Sequence, residues 1–342
     1  MRIIIDAMGG DNAPAAIVQG AVDAQKEFGV DIVLVGQEEA VKACLESCGA
    51  AGNEHIRVVH AEEVITMCDD PATACRVKRD SSMTVALNLL KKGEGDALVS
   101  AGSTGALLTG ATLFVKRITG IRRAAVAPVI PNGEKGVLLI DSGANAECSE
   151  EYLMQFAFMG SFYAQTIMGI ENPRVALLNN GAEESKGTEM HRRSYALLKE
   201  AAATGRLNFV GNVEGGDVFF DKCDVIVSDG FAGNILLKSI EGTAKFMMKK
   251  LKGAFMSSLK AKIGALLVKK GVYQLKSMLD VSEVGGTPFL GITKPVIKAH
   301  GNSNARAIRS AVKQAIGFVE GGFIEKINEN IEILKVHTGE EG

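Results

Sequence analysis

The sequence predicts an α/β fold built on a mostly parallel, doubly wound sheet. Three observations carry that expectation. Short aliphatic runs alternate with longer helical patterns almost throughout, the composition is rich in Gly, Ala, Val, Ile and Leu with no tryptophan, and small glycine-containing loops come after the aliphatic runs. Continuous aliphatic runs suit parallel strands whose two faces are both covered by helices. With 342 residues, 46% of them hydrophobic and 23% charged, the chain has the composition of a globular protein with a sizeable core. We read residues 1–342 as a single domain.

The strands expected from these runs are Arg2–Asp6, Asp31–Val35, Ile56–His60, Ala97–Ser100, Ala125–Val129, Val137–Asp141, Val175–Leu178, Leu207–Val210 and Asp224–Val227. Between them the spacing predicts helices over Ala15–Phe28, Glu38–Ser47, Thr84–Lys92, Ala106–Lys116, Glu150–Met168, Glu189–Ala202, Ile235–Lys252 and Ala305–Val319. The strands Ala125–Val129 and Val137–Asp141 succeed each other across Pro131-Asn132-Gly133-Glu134-Lys135, which reads as a local hairpin.

Charge and cysteine usage exclude several classes. A formal net charge of −2 gives no general affinity for nucleic acid. Cys44, Cys48, Cys68, Cys75, Cys148 and Cys223 show neither a C-x-x-C pair nor zinc-type spacing, so they read as buried thiols of a reducing compartment. No basic n-region leads into a long apolar stretch, and no apolar run reaches the about 20 residues needed to span a bilayer. The expected location is the cytoplasm.

The loops at the strand ends are informative. They are Asp6-Ala7-Met8-Gly9-Gly10-Asp11-Asn12, Ser100-Ala101-Gly102-Ser103-Thr104-Gly105, Asp141-Ser142-Gly143-Ala144-Asn145, Asn179-Asn180-Gly181-Ala182-Glu183-Glu184-Ser185-Lys186-Gly187 and Ser228-Asp229-Gly230-Phe231-Ala232-Gly233-Asn234. Each alone could be an ordinary turn or helix cap. Five at strand ends mark the edge of an open α/β sheet where ligands bind. Their glycines let the backbone approach an anion, and the N-termini of the helices after them offer free N–H groups. A cleft for a phosphate-bearing substrate is the expectation.

Candidate side chains carry two readings each. Lys186, in a glycine-bounded loop, either holds a phosphate or a developing oxyanion, or pairs on the surface with Glu183 or Glu184. His300, in the similar loop Ala299-His300-Gly301-Asn302-Ser303-Asn304, either caps the last helix or lines the cleft. A triad nucleophile has little support, because no G-x-S-x-G elbow is present and no cysteine lies in the five loops. Asp217, Asp221 and Asp224 have helical spacing that could suit a divalent cation, but intervening aromatics and a lysine favour a solvated turn. From Gly242 to Leu279 there are nine lysines, among them Lys249, Lys250 and Lys260, and no acid. Leu251, Phe255, Leu259, Ile263 and Leu267 form an apolar stripe through it, interrupted by Gly253, Gly264 and Gly271, which predicts two or three short helices. Such a basic amphipathic excursion either seats on an anionic membrane or an acidic protein, or forms a dimer with its lysines merely solvated.

The ordered motifs Asp6 to Asp11, Ser100 to Ala106, Asp141 to Asn145, Asn180 to Gly187 and Asp229 to Asn234 resemble those of the bacterial acyl-carrier-protein:phosphate acyltransferases of phospholipid synthesis, over essentially the whole chain. The resemblance implies a homodimeric three-layer α/β/α enzyme, similar in fold to phosphate acetyltransferases and more distantly to isopropylmalate dehydrogenases. It would turn acyl-acyl carrier protein and inorganic phosphate into acyl phosphate without a cofactor or metal, in the cytoplasm and peripherally on a membrane. On this resemblance Lys186 and Asn234 are the catalytic residues. Asp6, Gly9, Gly10, Ser103, Thr104, Gly105, Asn145, Asn180 and His300 are the phosphate- or substrate-binding set, and Lys249, Lys250, Leu259, Lys260 and Ile263 meet membrane or carrier protein. Two other functions compete: a metal- and nicotinamide-dependent decarboxylating dehydrogenase, and a non-catalytic lipid- or carrier-binding protein. The former places metal-binding aspartates where this chain has Asn234 and Lys238, and the latter has no need of five polar loops on one edge.

Overall fold

The buried aliphatic runs assemble into two sheets, not one. A computed structural model describes residues 1–132, 135–279 and 285–334; Gly133 and Glu134 of the expected hairpin turn, and 280–284 and 335–342 of the expected domain, lie outside the described residues. The strands are β1 (Arg2–Asp6), β2 (Asp31–Gly36), β3 (Ile56–His60), β4 (Ala97–Ser100), β5 (Ala125–Val126), β6 (Val129–Ile130), β7 (Val137–Ile140), β8 (Val175–Asn179), β9 (Phe209–Glu214), β10 (Val225–Val227), β11 (Thr287–Leu290) and β12 (Val296–Lys298). The first sheet runs β3-β2-β1-β4-β12-β11-β5 and the second β6-β7-β10-β8-β9. Pairing is parallel from β3 to β12 and from β7 to β9; β11 and β6 run antiparallel to their neighbours.

The single strand expected over Ala125–Val129 is divided at Ala127 and Pro128. Proline has no N–H to give a ladder, and here the chain changes sheets: Ala127 N donates to Pro288 O of the first, while Pro128 O accepts from Leu139 N of the second. The expected hairpin exists as the β6–β7 pair, with Val129 opposite Leu138. Strands β11 and β12, which local patterning does not predict, complete the first sheet, and β9 begins two residues later than expected and extends to Glu214.

Helices cover both faces of the sheets. The helix Ala15–Phe28 packs against Ala305–Glu320, and at Gly20 a β-carbon would stand 2.5 Å from Ala305 O. The helix Glu150–Thr166 buries Phe156, Phe158 and Tyr163 against the second sheet. Helix starts obey the caps that the sequence offers: Ser81, Ser103, Ser149, Thr188, Asp229 and Asn304 each accept a hydrogen bond from a first-turn amide.

The basic excursion forms two long helices, Gly230–Met256 and Leu259–Leu279, separated at Ser257 and Ser258. The glycines expected to interrupt it lie inside them. A glycine costs a helix interior only about 1 kcal/mol relative to alanine, which neighbouring good helix formers offset.

Two glycines of one helix generate opposite expectations. A β-carbon at Gly233 would stand 2.0 Å from Asp141 O, whereas one at Gly242 meets nothing within 4 Å. Gly233→Ala should lower unfolding stability by about 3 kcal/mol or more through overpacking against backbone. Gly242→Ala should raise it by about 0.5–1 kcal/mol. Denaturant titrations of both variants check this, and equal effects would contradict the packing described.

Candidate functional site

The five loops lie at the carboxyl ends of β1, β4, β7, β8 and β10, and a sixth, residues 299–304, comes after β12. In the first sheet the order β2-β1-β4 puts the direction change between β1 and β4, where loops diverge and leave room for a ligand. Gly9 lets the first two loops touch there, since a β-carbon would stand 2.7 Å from Gly102 N. Asp11 N donates to Gly301 O at 2.7 Å, and Asn12 Nδ2 to Asn302 O and Ser303 O. The sixth loop is thereby tied to the first.

Each lobe builds its loop around a buried carboxyl group. Asp6 accepts from Ser100 Oγ at 2.6 Å and from Met8 N; burial pushes its carboxyl up, against the hydrogen bonds that favour the anion. Asp141, fully buried, accepts from Val126 N, Ala144 N, Asn145 N and Asn145 Nδ2 at 2.7–3.1 Å. Burial raises it as well. The helix Gly230–Met256 starts directly on this second loop, where Gly230 N donates to Asn145 O at 2.7 Å.

Between the lobes lies a cavity of about 690 Å³. The first lobe contributes Asp11, Thr104, Lys298, His300, Gly301 and Asn302; the second contributes Ser142, Gly143, Asn234, Leu237, Lys238 and Glu241; Val126 and Pro128 lie on the crossing. Lys238 is ion-paired with Glu241 at 2.9 Å. Cys148, on the segment after Asn145, is partly buried, and burial beside Asp141 and Asp229 drives its thiol up to about 12. It is a protonated thiol at neutral pH and a poor nucleophile.

Of the residues singled out by sequence, Thr104, Asn234 and His300 line the cavity. Asp6, Gly9, Gly10, Ser103, Gly105 and Asn145 build the wall behind it: Ser103 caps its helix, Gly105 packs on Pro71, and Asn145 gives its amide to Ala124 O and Asp141. His300 is not the cap of the last helix; that is Asn304, which accepts from Ala307 N at 3.0 Å. Lys186 and Asn180 sit on the β8 loop, outside the cavity wall and exposed, with the Lys186 stem lying over Gly181. Glu184 pairs with Lys199 instead. His191, in the first turn of the helix Glu189–Ala203 that follows this loop, bonds Thr188 at 2.8 Å; burial lowers its imidazole pKa and Asp229 works against that fall.

The acidic trio is occupied by cations, Asp217 with Lys222 and both Asp221 and Asp224 with Arg174. Among the described residues no group of three or more His, Cys, Asp or Glu could hold a metal ion. Sequence reasoning missed Lys298, a cavity residue that is 8% exposed. Its position two residues before His300, at the edge of a polar glycine-containing loop, was the available signal.

A model of the family described as fatty acid synthesis protein matches residues 1–326. The chain is 48% identical over 332 residues to a phosphate acyltransferase of Clostridioides difficile, covering 97% of this chain and 96% of that one. Among solved structures it is similar to a phosphotransacetylase from Streptococcus pyogenes, with a TM-score of 0.66, 18% identity and 94% of each chain covered. It is also similar to a branched-chain phosphotransacylase from Enterococcus faecalis, with a TM-score of 0.55, 17% identity and coverage of 93% of this chain and 99% of that one. At those identities the two structures speak for the fold alone, and they agree with the expected kinship to phosphate acetyltransferases.

Proposed function

The chain belongs to the fatty acid synthesis protein family, and from that premise we propose that it transfers a fatty acyl group from acyl-acyl carrier protein to inorganic phosphate, giving acyl phosphate for phospholipid synthesis. The observation that carries this reading is the cavity between the lobes, walled by hydroxyl, amide and ammonium groups from both, with a protonated thiol as its neighbour. A thioester carbonyl is already activated and phosphate is itself an anionic nucleophile. A phosphate oxygen attacks the carbonyl carbon, the tetrahedral oxyanion collapses, the C–S bond breaks and the carrier's thiolate leaves to take up a proton. Such a reaction asks the protein chiefly to position two reactants and stabilise an oxyanion.

In this reading Asn234, at a helix start on the cavity wall, donates its amide to the oxyanion, and Lys186 supplies positive charge from the loop after β8. Thr104 and the N–H groups at the start of its helix cradle phosphate. Incubation with an acyl-carrier-protein thioester should yield hydroxylamine-trappable acyl phosphate only when phosphate is present, and turnover should survive EDTA. Asn234→Ala and Lys186→Ala should each lower kcat by about 10²–10³. Unchanged kcat in a folded variant would remove that residue from the catalytic set, and absence of acyl phosphate would remove the function.

A cytoplasmic enzyme seated on the membrane surface completes the proposal, because its product carries a fatty chain. No helix among the described residues is long and apolar enough to cross a membrane. Leu259, Ile263 and Leu267 are 79%, 61% and 84% exposed beside Lys260 and Lys262. Shallow insertion of those side chains would be reinforced by about 1 kcal/mol per lysine near an anionic surface. Lys249 and Lys250 of the preceding helix extend the same basic surface for carrier protein, and the exposed Phe246, Met247 and Met256 suit a homodimer contact. Leu259→Ser with Ile263→Ser should release the protein from anionic liposomes in sedimentation while soluble acyl-acyl carrier protein is still turned over. Retained liposome binding with a broken dimer would make the stripe a protein–protein surface.

A further inference from the structure

Lys298 ends β12 in register with Ser100 of β4, at the junction of the loops after β1, β4 and β12. Although 8% exposed, it forms part of the cavity wall. Its Nζ donates to two carbonyl oxygens, those of Ala101 at 3.4 Å and of Ala299. Among the described residues no carboxylate comes within 4.0 Å of that ammonium. An ammonium has three donors, so a third remains beyond the two carbonyls.

The charged groups that act on it are Asp6 behind the wall, Asp11 on the wall and Lys238 on the helix Gly230–Met256. Burial brings the amine down to about 8, the two aspartates work against that fall and Lys238 adds to it. The ammonium is therefore the predominant form at pH 7. A buried ammonium with no carboxylate in contact and a donor left over is costly, and is met by an anion or lost by deprotonation. Here the place for an anion is the cavity itself.

We propose that Lys298 is the phosphate-holding cation of the cleft, a binding residue for the tetrahedral anion on the lobe opposite Asn234. The acyl-transfer reading supplies the identity of the anion, and on it the inference rests. Thr104 stands on the same lobe, so a phosphate held by both would face the second lobe, from which Asn234 reaches the reacting carbonyl. Lys186 then serves the oxyanion and Lys298 the nucleophile, which separates two roles that one lysine could not fill from one position.

The test uses the intact protein and two readouts. Competitive acetic anhydride labelling of the wild-type chain, read by mass spectrometry, should show Lys298 protected by millimolar inorganic phosphate while the exposed Lys249 and Lys260 react unchanged. Lys298→Met should raise KM for phosphate by about 10- to 100-fold, the effect of losing one charge-assisted hydrogen bond. KM for acyl-acyl carrier protein should stay within about twofold, a split that a merely structural lysine would not give. In the wild type, KM for phosphate should rise as pH passes about 8, since deprotonation removes the charge, and that rise should vanish in the variant. Unprotected Lys298, or an unchanged KM for phosphate in the variant, overturns the proposal while leaving acyl transfer standing. Protection of Lys298 in a protein that makes no acyl phosphate would instead sink the acyl-transfer reading and leave an anion site at Lys298. Should the variant fail to fold, the wild-type labelling decides.

Discussion

A β-carbon at Gly233 would lie 2.0 Å from the backbone oxygen of Asp141, so the helix Gly230–Met256 can start only where that glycine lets two backbones meet. The rest of the cleft depends on this contact. Gly230 makes the same approach to Asn145, and the loop they dock on is folded around the Asp141 carboxyl by three backbone amides and the Asn145 side chain. Because the helix is seated there, Asn234 and Lys238 come to the cavity wall in its first turns, and the long basic excursion is carried outward from the same anchor. The cavity wall and the basic excursion thus share one mechanical origin.

Much of this was legible in the residues. Strands buried on both faces read as unbroken aliphatic runs, and the glycines of the strand-end loops are demanded by close backbone approaches that leave a pattern in the sequence. What was not legible depends on partners remote in the chain. Pro128 marks a break, but only the positions of Pro288 and Leu139 show that the chain changes sheets there. β11 and β12 are short and flanked or interrupted by Pro288 and Pro295, so local patterning gives them little signal although long-range pairing holds them centrally. Missing β12 meant passing over Lys298. Asn145, by contrast, was noticed for a polar side chain that proves to brace a turn, and sequence cannot separate a bracing amide from a binding one. The continuous helices over Gly253, Gly264 and Gly271 show the limit of reading each glycine as a stop.

Distribution of the polar groups explains why two lobes are needed. The first lobe offers Thr104, His300 and Lys298, and the second offers Asn234, Ser142 and the Lys238–Glu241 pair. Neither set alone surrounds a reactant. A bisubstrate reaction between an anion and a carbonyl needs groups on both sides of the forming bond, with binding energy used to hold the near-attack geometry. Cys148 is held protonated by burial and neighbouring carboxylates, and burial raises the Cys75 thiol as well.

Direct attack of phosphate on the thioester, with no acyl group ever resident on the protein, is the central claim. Its most direct measurement is a single turnover with carrier protein bearing a radiolabelled acyl chain. The enzyme is mixed with it first without phosphate and then with phosphate, and protein-bound and phosphate-bound label are counted. Direct transfer predicts no covalent label on the protein in the first mixture and prompt labelled acyl phosphate in the second. A stable acylated cysteine or serine that forms without phosphate and discharges when phosphate is added would contradict it.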